Sequence, residues 1–342
     1  MALPHPRPLS HTWERGGRQA GVRAVRSAIR PFIHATSRWS GTSVFSDRHP
    51  PRAVGVMIGA AFALWCFAIT GLLLWRGLGA PVDLPVLGPY IASTLFFGLG
   101  CLFAYWTYGC LTLTYHLDRN GLIIRWGDIR QVIPMDRIER LIPGRELPKP
   151  KVTGVSWAGH YVGRATVGDL GETLVYATQG DPEDLLYVVT PAQSYAIAID
   201  DEVRFAEELQ GHQKMGQLVS LPQVTERSSL AAQPFWQDPI AQGLALAAGV
   251  AFAVMTGYVF HNYPGLPESI PLAFPSLSGV TRVDDKRELL TLPITGVGLL
   301  ATNLILGFFL HAWERTVGYL LFLAAIGAQV ILLAAAIITL SQ

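Results

Sequence analysis

The chain has 342 residues, of which 50% are hydrophobic and only 15% are charged, and its formal net charge is +1. A soluble globular protein carries about 25% charged residues, so this composition excludes an ordinary soluble protein. The three cysteines lie in or at the end of apolar segments without the spacing of a metal or redox site, which makes them packing residues. They are Cys66, Cys101 and Cys110.

Residues 1–52 form a basic arm with nine arginines, no lysine and only two acids, Glu14 and Asp47. One interpretation is a basic amphipathic helix over residues 17–35 that lies on anionic lipid. The other is a disordered extension, and a transit peptide or an overextended gene start would have a similar composition. We predict that the arm is largely disordered, and its charge favours the cytoplasmic side of a membrane.

Five apolar segments exceed the roughly 20 residues that cross the hydrocarbon core of a bilayer. They are residues 53–75, 84–115, 239–260, 289–310 and 316–340. We predict an α-helical membrane protein with five transmembrane helices: a hairpin of two within residues 53–110 and a unit of three within residues 239–342. Since no span holds an acid or a lysine in its interior, the sequence disfavours a transporter or channel.

The distribution of charge predicts the orientation in a bacterial plasma membrane. With the arm inside and five spans, the block between the second and third spans is cytoplasmic, the loop 261–288 faces outward and the C-terminus lies outside. Only four basic residues then lie outside, and they are Arg76, Arg282, Lys286 and Arg287.

Residues 111–216 show short apolar runs between turn residues, a pattern typical of β-strands. Asp118, Arg119, Asn120 and Gly121 predict a tight hairpin turn. Antiparallel strands are predicted at residues 111–117, 122–126, 129–133 and 137–142, a helical turn being the alternative for the last. Three or four more are predicted among residues 166–167, 173–178, 185–190 and 195–199, which makes about seven in all.

A helix closes this block, with Asp200 as its predicted N-cap and with Phe205 and Leu209 on one face. Residues 217–238 are predicted to form a linker to the third span. The block therefore has the order of a small β-domain followed by one amphipathic helix.

Three stretches of the block resemble bacterial PH domains: residues 115–124 (YHLDRNGLII), 133–138 (IPMDRI) and 195–205 (YAIAIDDEVRF). The resemblance covers residues 111–212. It implies a PH-like β-barrel or sandwich capped by a C-terminal helix, which serves anchoring, assembly or ligand display rather than catalysis.

The resemblance allows two kinds of binding partner, an inositol phospholipid or another protein. PH domains that bind inositol phospholipids carry several basic residues around their first hairpin, whereas this turn has Arg119 alone. With 12 basic and 16 acidic residues between positions 115 and 237, the block is mildly acidic, so protein docking is favoured over binding to anionic lipid.

The outward loop carries a second resemblance, in residues 263–271 (YPGLPESIP) followed by Phe274, Gly279 and Lys286. Residues 240–339 resemble a bacterial membrane segment of unknown function that also opens the immunity and signalling protein of a sporulation-delaying toxin system. Where that family has a histidine after its Ile-Pro step, this chain continues with Leu272. The prolines of the loop also have a plain structural role, because they rigidify a turn.

The sequence assembles no catalytic, cofactor or metal site. The nine histidines lack metal-ligand spacing, and the glycines of the block lack the spacing of a phosphate loop. A lipid-modifying membrane enzyme would have only Glu268, Asp284 and Asp285 as candidate catalytic residues.

We therefore expect a non-enzymatic membrane protein whose cytoplasmic domain docks a protein partner or regulates a membrane complex. The alternative is a sensor or immunity protein that recognises an extracellular peptide through the 261–288 loop. The expected partners are the lipid bilayer and a protein at the β-domain, with no nucleic acid. The small residues of the last span favour packing within the bundle, and an oligomer is the alternative use.

Overall fold

A computed structural model describes residues 46–272 and 282–341. Within them the chain forms five long apolar helices and a domain of β-sheets between the second and the third. The predicted alternatives for residues 17–35, and the positions of Phe274 and Gly279 in the outward loop, lie outside the described residues.

Each long helix forms from an apolar run without an acidic residue, and all five are long and apolar enough to cross a bilayer. The predicted segments therefore correspond to helices. In chain order the helices are α1 Ala53–Gly79, α2 Leu87–Thr112, the shorter α3 Glu202–Met215 of the β-domain, α4 Pro239–Asn262, α5 Thr291–Leu310 and α6 Arg315–Leu340.

The strands form two sheets and one separate hairpin. The first sheet has the order β1-β2-β3-β4-β11, the second has the order β5-β9-β10-β8-β7-β6, and β12 pairs with β13 between α4 and α5. In chain order the strands are β1 Ser46–Arg48, β2 Thr114–Leu117, β3 Gly121–Trp126, β4 Ile129–Pro134, β5 Arg140–Pro143, β6 Thr153–Trp157, β7 His160–Thr166, β8 Glu172–Ala177, β9 Leu185–Val189, β10 Ser194–Ala198, β11 Val224–Arg227, β12 Ser269–Leu272 and β13 Arg282–Asp285.

Both edge strands of the first sheet lie outside the predicted block of residues 111–216. β1 falls in the arm that was expected to be disordered, and it pairs with β2 while the Arg48 guanidinium lies 3.0 Å from the Glu208 carboxylate. β11 falls in the predicted linker and pairs with β4. The folded domain therefore extends beyond the predicted block on both sides.

Three local predictions are corrected by the structure. Residue 112 still belongs to α2, so the first strand starts at Thr114 rather than at residue 111. The N-cap of α3 is Asp201, which accepts a hydrogen bond from the Arg204 backbone N–H at 2.9 Å, rather than Asp200. β10 lies between β9 and β8, antiparallel to β9 and parallel to β8, so the second sheet is not wholly antiparallel.

An apolar core unites the two sheets. One buried cluster contains Tyr115 and Ile124 of the first sheet and Val188 of the second. Phe205 and Leu209 of α3 are buried in the same cluster, so the predicted apolar face of that helix packs into the core. Burial of apolar surface is the main stabilising contribution in such a core.

Small residues let α1 and α2 pack closely. A Cβ atom added to Gly59 would lie 2.3 Å from the Thr107 hydroxyl oxygen, and one added to Gly100 would lie 2.7 Å from the Phe67 ring. Side chains larger than hydrogen therefore do not fit at these two positions without a shift, and glycine sets the spacing of the hairpin.

The other three long helices form a second unit. The Gln329 side chain of α6 is fully buried and donates a hydrogen bond to the Gly296 carbonyl of α5 at 2.9 Å. Gly318 and Ala325 of α6 are buried as well, so these small residues serve packing inside the unit. An oligomer interface stays a prediction.

The two helical units meet at the turn between α1 and α2. Val86 of this turn belongs to one buried apolar cluster with Phe260 of α4, Ile270 of β12 and Leu289. The β12–β13 hairpin is therefore part of the contact between the units rather than a loop that projects freely.

Candidate functional site

The β2–β3 turn is built by its own side chains. The Asp118 carboxylate accepts hydrogen bonds from the backbone N–H groups of Asn120 at 2.8 Å and Gly121 at 2.9 Å. A Cβ atom on Gly121 would lie 2.2 Å from the Ile133 carbonyl oxygen, so only glycine fits this close approach. The predicted hairpin turn is thus present, and Asp118 is an internal structural residue.

Arg119, the basic residue of the turn, points its charge at the end of α3. Its guanidinium donates hydrogen bonds to the carbonyl oxygens of Met215 at 2.9 Å and Gly216 at 3.3 Å. A cation at a helix C-terminus interacts favourably with the exposed carbonyl groups and with the helix dipole. The guanidinium charge that could attract an anionic headgroup is therefore already hydrogen-bonded to carbonyl groups of the same domain.

Asn120 fixes the next part of the chain. Its side-chain oxygen accepts hydrogen bonds from the backbone N–H groups of Leu218 at 3.1 Å and Val219 at 3.0 Å. The Gln217 side chain adds a hydrogen bond to the Asp136 carboxylate at 2.9 Å. The backbone after α3 is thus held in one conformation by polar contacts to the turn.

This fixed segment presents apolar side chains to solvent. Leu218 is 66% exposed and Val219 is 52% exposed, with Met215 and Val224 beside them in sequence. We call these four residues the distal surface: the backbone of Met215, Leu218 and Val219 is hydrogen-bonded to the β2–β3 turn, at the end of β3 opposite to α2, and Val224 is the first residue of β11. Apart from Val203, no other large apolar side chain of the described β-domain is exposed. A concentrated apolar surface on an otherwise polar domain is typical of a protein interaction site.

The opposite end of the domain is joined to α1 through glycine contacts. A Cβ atom on Gly55 of α1 would lie 2.1 Å from the carbonyl oxygen of Gly159, in the turn between β6 and β7. The Trp157 indole N–H donates a hydrogen bond to the Gly55 carbonyl at 3.3 Å. The backbones of Gly55 and Gly159 are therefore in direct contact, and the β6–β7 turn of the domain packs closely against α1.

His160 lies in the same joint and is fully buried. Its Nε2 accepts a hydrogen bond from the Trp126 indole N–H at 3.0 Å, and the Trp157 ring meets it edge to face. Burial lowers the pKa of His160 to about 4, because desolvation disfavours the charged imidazolium. This histidine, one of the scattered nine in the sequence, is a neutral packing residue between two tryptophans.

A second histidine joins three helix ends. Asp238 caps the start of α4, accepting hydrogen bonds from the backbone N–H groups of Ile240 at 3.0 Å and Ala241 at 3.2 Å. The Tyr319 hydroxyl donates to the same carboxylate at 2.6 Å, and Nε2 of buried His311 lies 3.2 Å away. The hydrogen bond from Tyr319 is the largest contribution that lowers the pKa of Asp238. The Asp-Pro step before α4 is the local signal that could have predicted this cap, whereas nothing local in the sequence points to the other two partners.

The three candidate catalytic acids lie at one hairpin, but they have structural contacts. The Glu268 carboxylate pairs with the Lys286 ammonium at 3.0 Å. Asp285 accepts a hydrogen bond from the Arg287 backbone N–H at 2.8 Å, and the Asp284 carboxylate accepts one from the Asp285 N–H at 3.2 Å. In the described part of the chain, no group of three His, Cys, Asp or Glu residues is placed to hold a metal ion.

Comparison with known families gives one match. Residues 113–213 match the family model described as "Bacterial PH domain", which agrees with the resemblance in residues 111–212. No curated protein and no solved structure matches the chain. The chain therefore contains a bacterial PH domain, and the distal surface includes residues just beyond the matched segment.

Proposed function

We propose that this protein spans the bacterial plasma membrane five times and uses its PH domain to dock a cytoplasmic protein partner and regulate a membrane complex. Its role is non-enzymatic. The observation that carries the proposal is the distal surface, an ordered segment that exposes apolar side chains while its backbone is held by Arg119 and Asn120.

Membrane insertion is supported by what the long helices expose. Leu64 and Trp65 of α1, Ile294 of α5 and Leu320 of α6 each expose 60% or more of their surface. Such surfaces favour lipid over water, because the transfer of apolar side chains from water into a hydrocarbon environment lowers their free energy. The nine arginines of residues 1–52 favour the cytoplasmic side for the arm, and two spans later the PH domain lies on that same side in the proposed topology, with the C-terminus outside.

A protein partner fits the distal surface better than a lipid headgroup does. An anionic headgroup needs free cations, and the Arg119 guanidinium already caps α3. A protein would bury Leu218 and Val219, and full burial of one such side chain contributes roughly 1.5–3 kcal/mol. Since Leu218 is 66% and Val219 is 52% exposed, the two together would contribute roughly 2–4 kcal/mol to the affinity of a complex.

The test is co-purification from native membranes in a mild detergent. The double variant Leu218→Ser and Val219→Ser should lose the stoichiometric partner, because the contact loses its apolar groups. The matched control is Val203→Ser, which removes a side chain that is 70% exposed at the other end of α3. An unchanged yield of partner with the double variant, or no partner with the native chain, contradicts the proposal.

The alternative function, recognition of an extracellular peptide, has one observation in its favour. The β12–β13 hairpin contacts both helical units, since Ile270 packs in one cluster with Val86 and Phe260. A peptide bound at the hairpin would therefore affect both units. Exchange of the loop 261–288 for an unrelated sequence of equal length should abolish the response, and an unchanged phenotype would exclude this function.

A further inference from the structure

β11 is attached to its sheet without burying apolar side chains. All four of its residues, from Val224 to Arg227, are exposed, and the strand lies at the edge of the first sheet. Most other strands of the domain place apolar side chains in the core. Because hydrophobic burial is the main stabilising contribution in a sheet, β11 is attached more weakly than the strands beside it.

Polar contacts hold β11 in place. It pairs with β4, and the Thr225 hydroxyl donates a hydrogen bond to the buried Gln131 side chain at 2.7 Å. The exposed pair of Arg130 and Glu226 lies 3.4 Å apart. After the strand, the Ser228 backbone N–H donates to the Asp128 carbonyl at 2.9 Å. Apart from the buried Gln131, these groups can hydrogen-bond to water instead, so the net contribution of most of these contacts is small.

A short tether links β11 to the three-helix unit. It leaves the sheet at Ser228 and is fixed again at Phe235, whose ring packs on Phe308 at 5.4 Å and Phe322 at 5.9 Å. Asp238 then begins α4. Seven residue steps reach about 24 Å when fully extended, so a tether fixed at both ends confines β11 near β4.

The same strand borders the distal surface. Val224 belongs to both, and the Gln223 side chain just before it donates hydrogen bonds to Thr190 at 3.0 Å and to Tyr195 at 3.2 Å. Detachment of β11 therefore moves Val224 and frees the chain that follows Val219. It also uncovers the edge of β4, a row of backbone groups open to pairing.

We propose that β11 is a releasable strap that couples the position of the three-helix unit to the distal surface. When the anchor of the tether shifts or loosens, β11 detaches and the distal surface loses Val224, the residue that it shares with the strand. By linkage, a partner that binds the intact surface favours the attached strand and the matching helix arrangement. The regulatory role rests on the proposed docking function, whereas the coupling itself is a property of the chain alone.

Hydrogen exchange of the full chain in lipid nanodiscs tests the coupling. The amides of β11 should exchange faster than those of β9 and β10. Asp238→Ala removes the cap and the contact with Tyr319, so it should raise exchange in β11 by about fivefold, the effect of losing a typical cap. The control is Thr70→Ala, which removes a hydrogen bond to the Cys66 carbonyl inside α1, in the other helical unit. Equal exchange in β11 for both variants, or equal acceleration of all strands by Asp238→Ala, would overturn the proposal.

A second variant tests the anchor separately from the cap, and an engineered disulfide across β4 and β11, called the lock, tests whether the strand must detach. Phe235→Ala loosens the anchor without touching the cap, and it should also accelerate exchange in β11. A disulfide between Arg130→Cys and Glu226→Cys, which are register partners, should suppress both effects. The control disulfide, Thr166→Cys with Glu172→Cys, joins register partners of β7 and β8 and should suppress neither.

The two proposals fail in different experiments. If the Leu218→Ser and Val219→Ser variant keeps its partner, the docking function is wrong while the exchange data still decide the strap. If the lock leaves the accelerated exchange of β11 in place, the strap is wrong whatever the partner does.

Discussion

Gly159→Ala should loosen the joint between the PH domain and α1. Gly159 has φ +84°, a left-handed conformation that favours glycine. A Cβ atom there would also lie 2.3 Å from the backbone nitrogen of Gly55. Backbone cannot rotate away as a flexible side chain can, so the β6–β7 turn must move off α1.

The expected loss combines two effects. The left-handed conformation costs about 1–2 kcal/mol for a residue with a Cβ atom. Overpacking at the contact adds roughly 1–3 kcal/mol. We expect Gly159→Ala to lower the free energy of unfolding of the domain by about 2–5 kcal/mol.

A matched control separates these effects. Gly168 has φ +43°, but the nearest atom to a Cβ added there is in the Pro148 ring at 3.8 Å, an ordinary contact. Gly168→Ala should therefore show the conformational loss alone, about 1–2 kcal/mol. The assay is denaturant unfolding in nanodiscs, followed by tryptophan fluorescence, because Trp126 and Trp157 lie in the joint. A loss for Gly159→Ala no greater than that for Gly168→Ala would refute the reasoning.

Two further predictions concern buried polar groups. The pKa of His160 is lowered to about 4 in the folded state from about 6.5 in the unfolded state. Between these pH values the unfolded state therefore binds more protons than the folded state. The free energy of unfolding should be full above pH 6.5 and fall by about 3 kcal/mol as the pH drops to 4. Unfolding measured from pH 4 to 7 checks this slope, and His160→Phe should flatten it; an unchanged slope would assign the pH dependence to another group. Tyr115→Phe should lower the free energy of unfolding by roughly 1–3 kcal/mol, because the buried hydroxyl donates to the Tyr176 carbonyl at 2.6 Å and accepts from the Ala198 N–H at 3.3 Å. Thermal unfolding of this variant beside the exposed control Tyr108→Phe measures the difference, and equal losses would contradict it.

The features that were predicted well depend on neighbouring residues. The apolar runs of α1, α2, α4, α5 and α6 are continuous along the chain, so length and composition are enough to locate them. The turn at Asp118 and the apolar face of α3 at Phe205 and Leu209 also follow from local spacing.

The features that were missed depend on partners far along the chain. β11 has no apolar alternation, since all its residues are exposed, and it forms because β4 offers a free edge. β6 and β7 are interrupted by Gly154 and Gly163, which weaken a strand pattern but fit where the two backbones approach closely. The parallel pairing of β10 with β8 depends on where β9 lies, and no local pattern specifies it.

The sequence by itself determined the five apolar helices, the inserted PH domain and its polar turn, because hydrophobic periodicity and turn chemistry act over a few residues. Only the tertiary structure decided what those residues do. It turned Arg119 toward the end of α3, exposed Leu218 and Val219, and tied the three-helix unit to the domain through β11. These contacts join residues that are distant in sequence, and they form only after the core has brought the elements together.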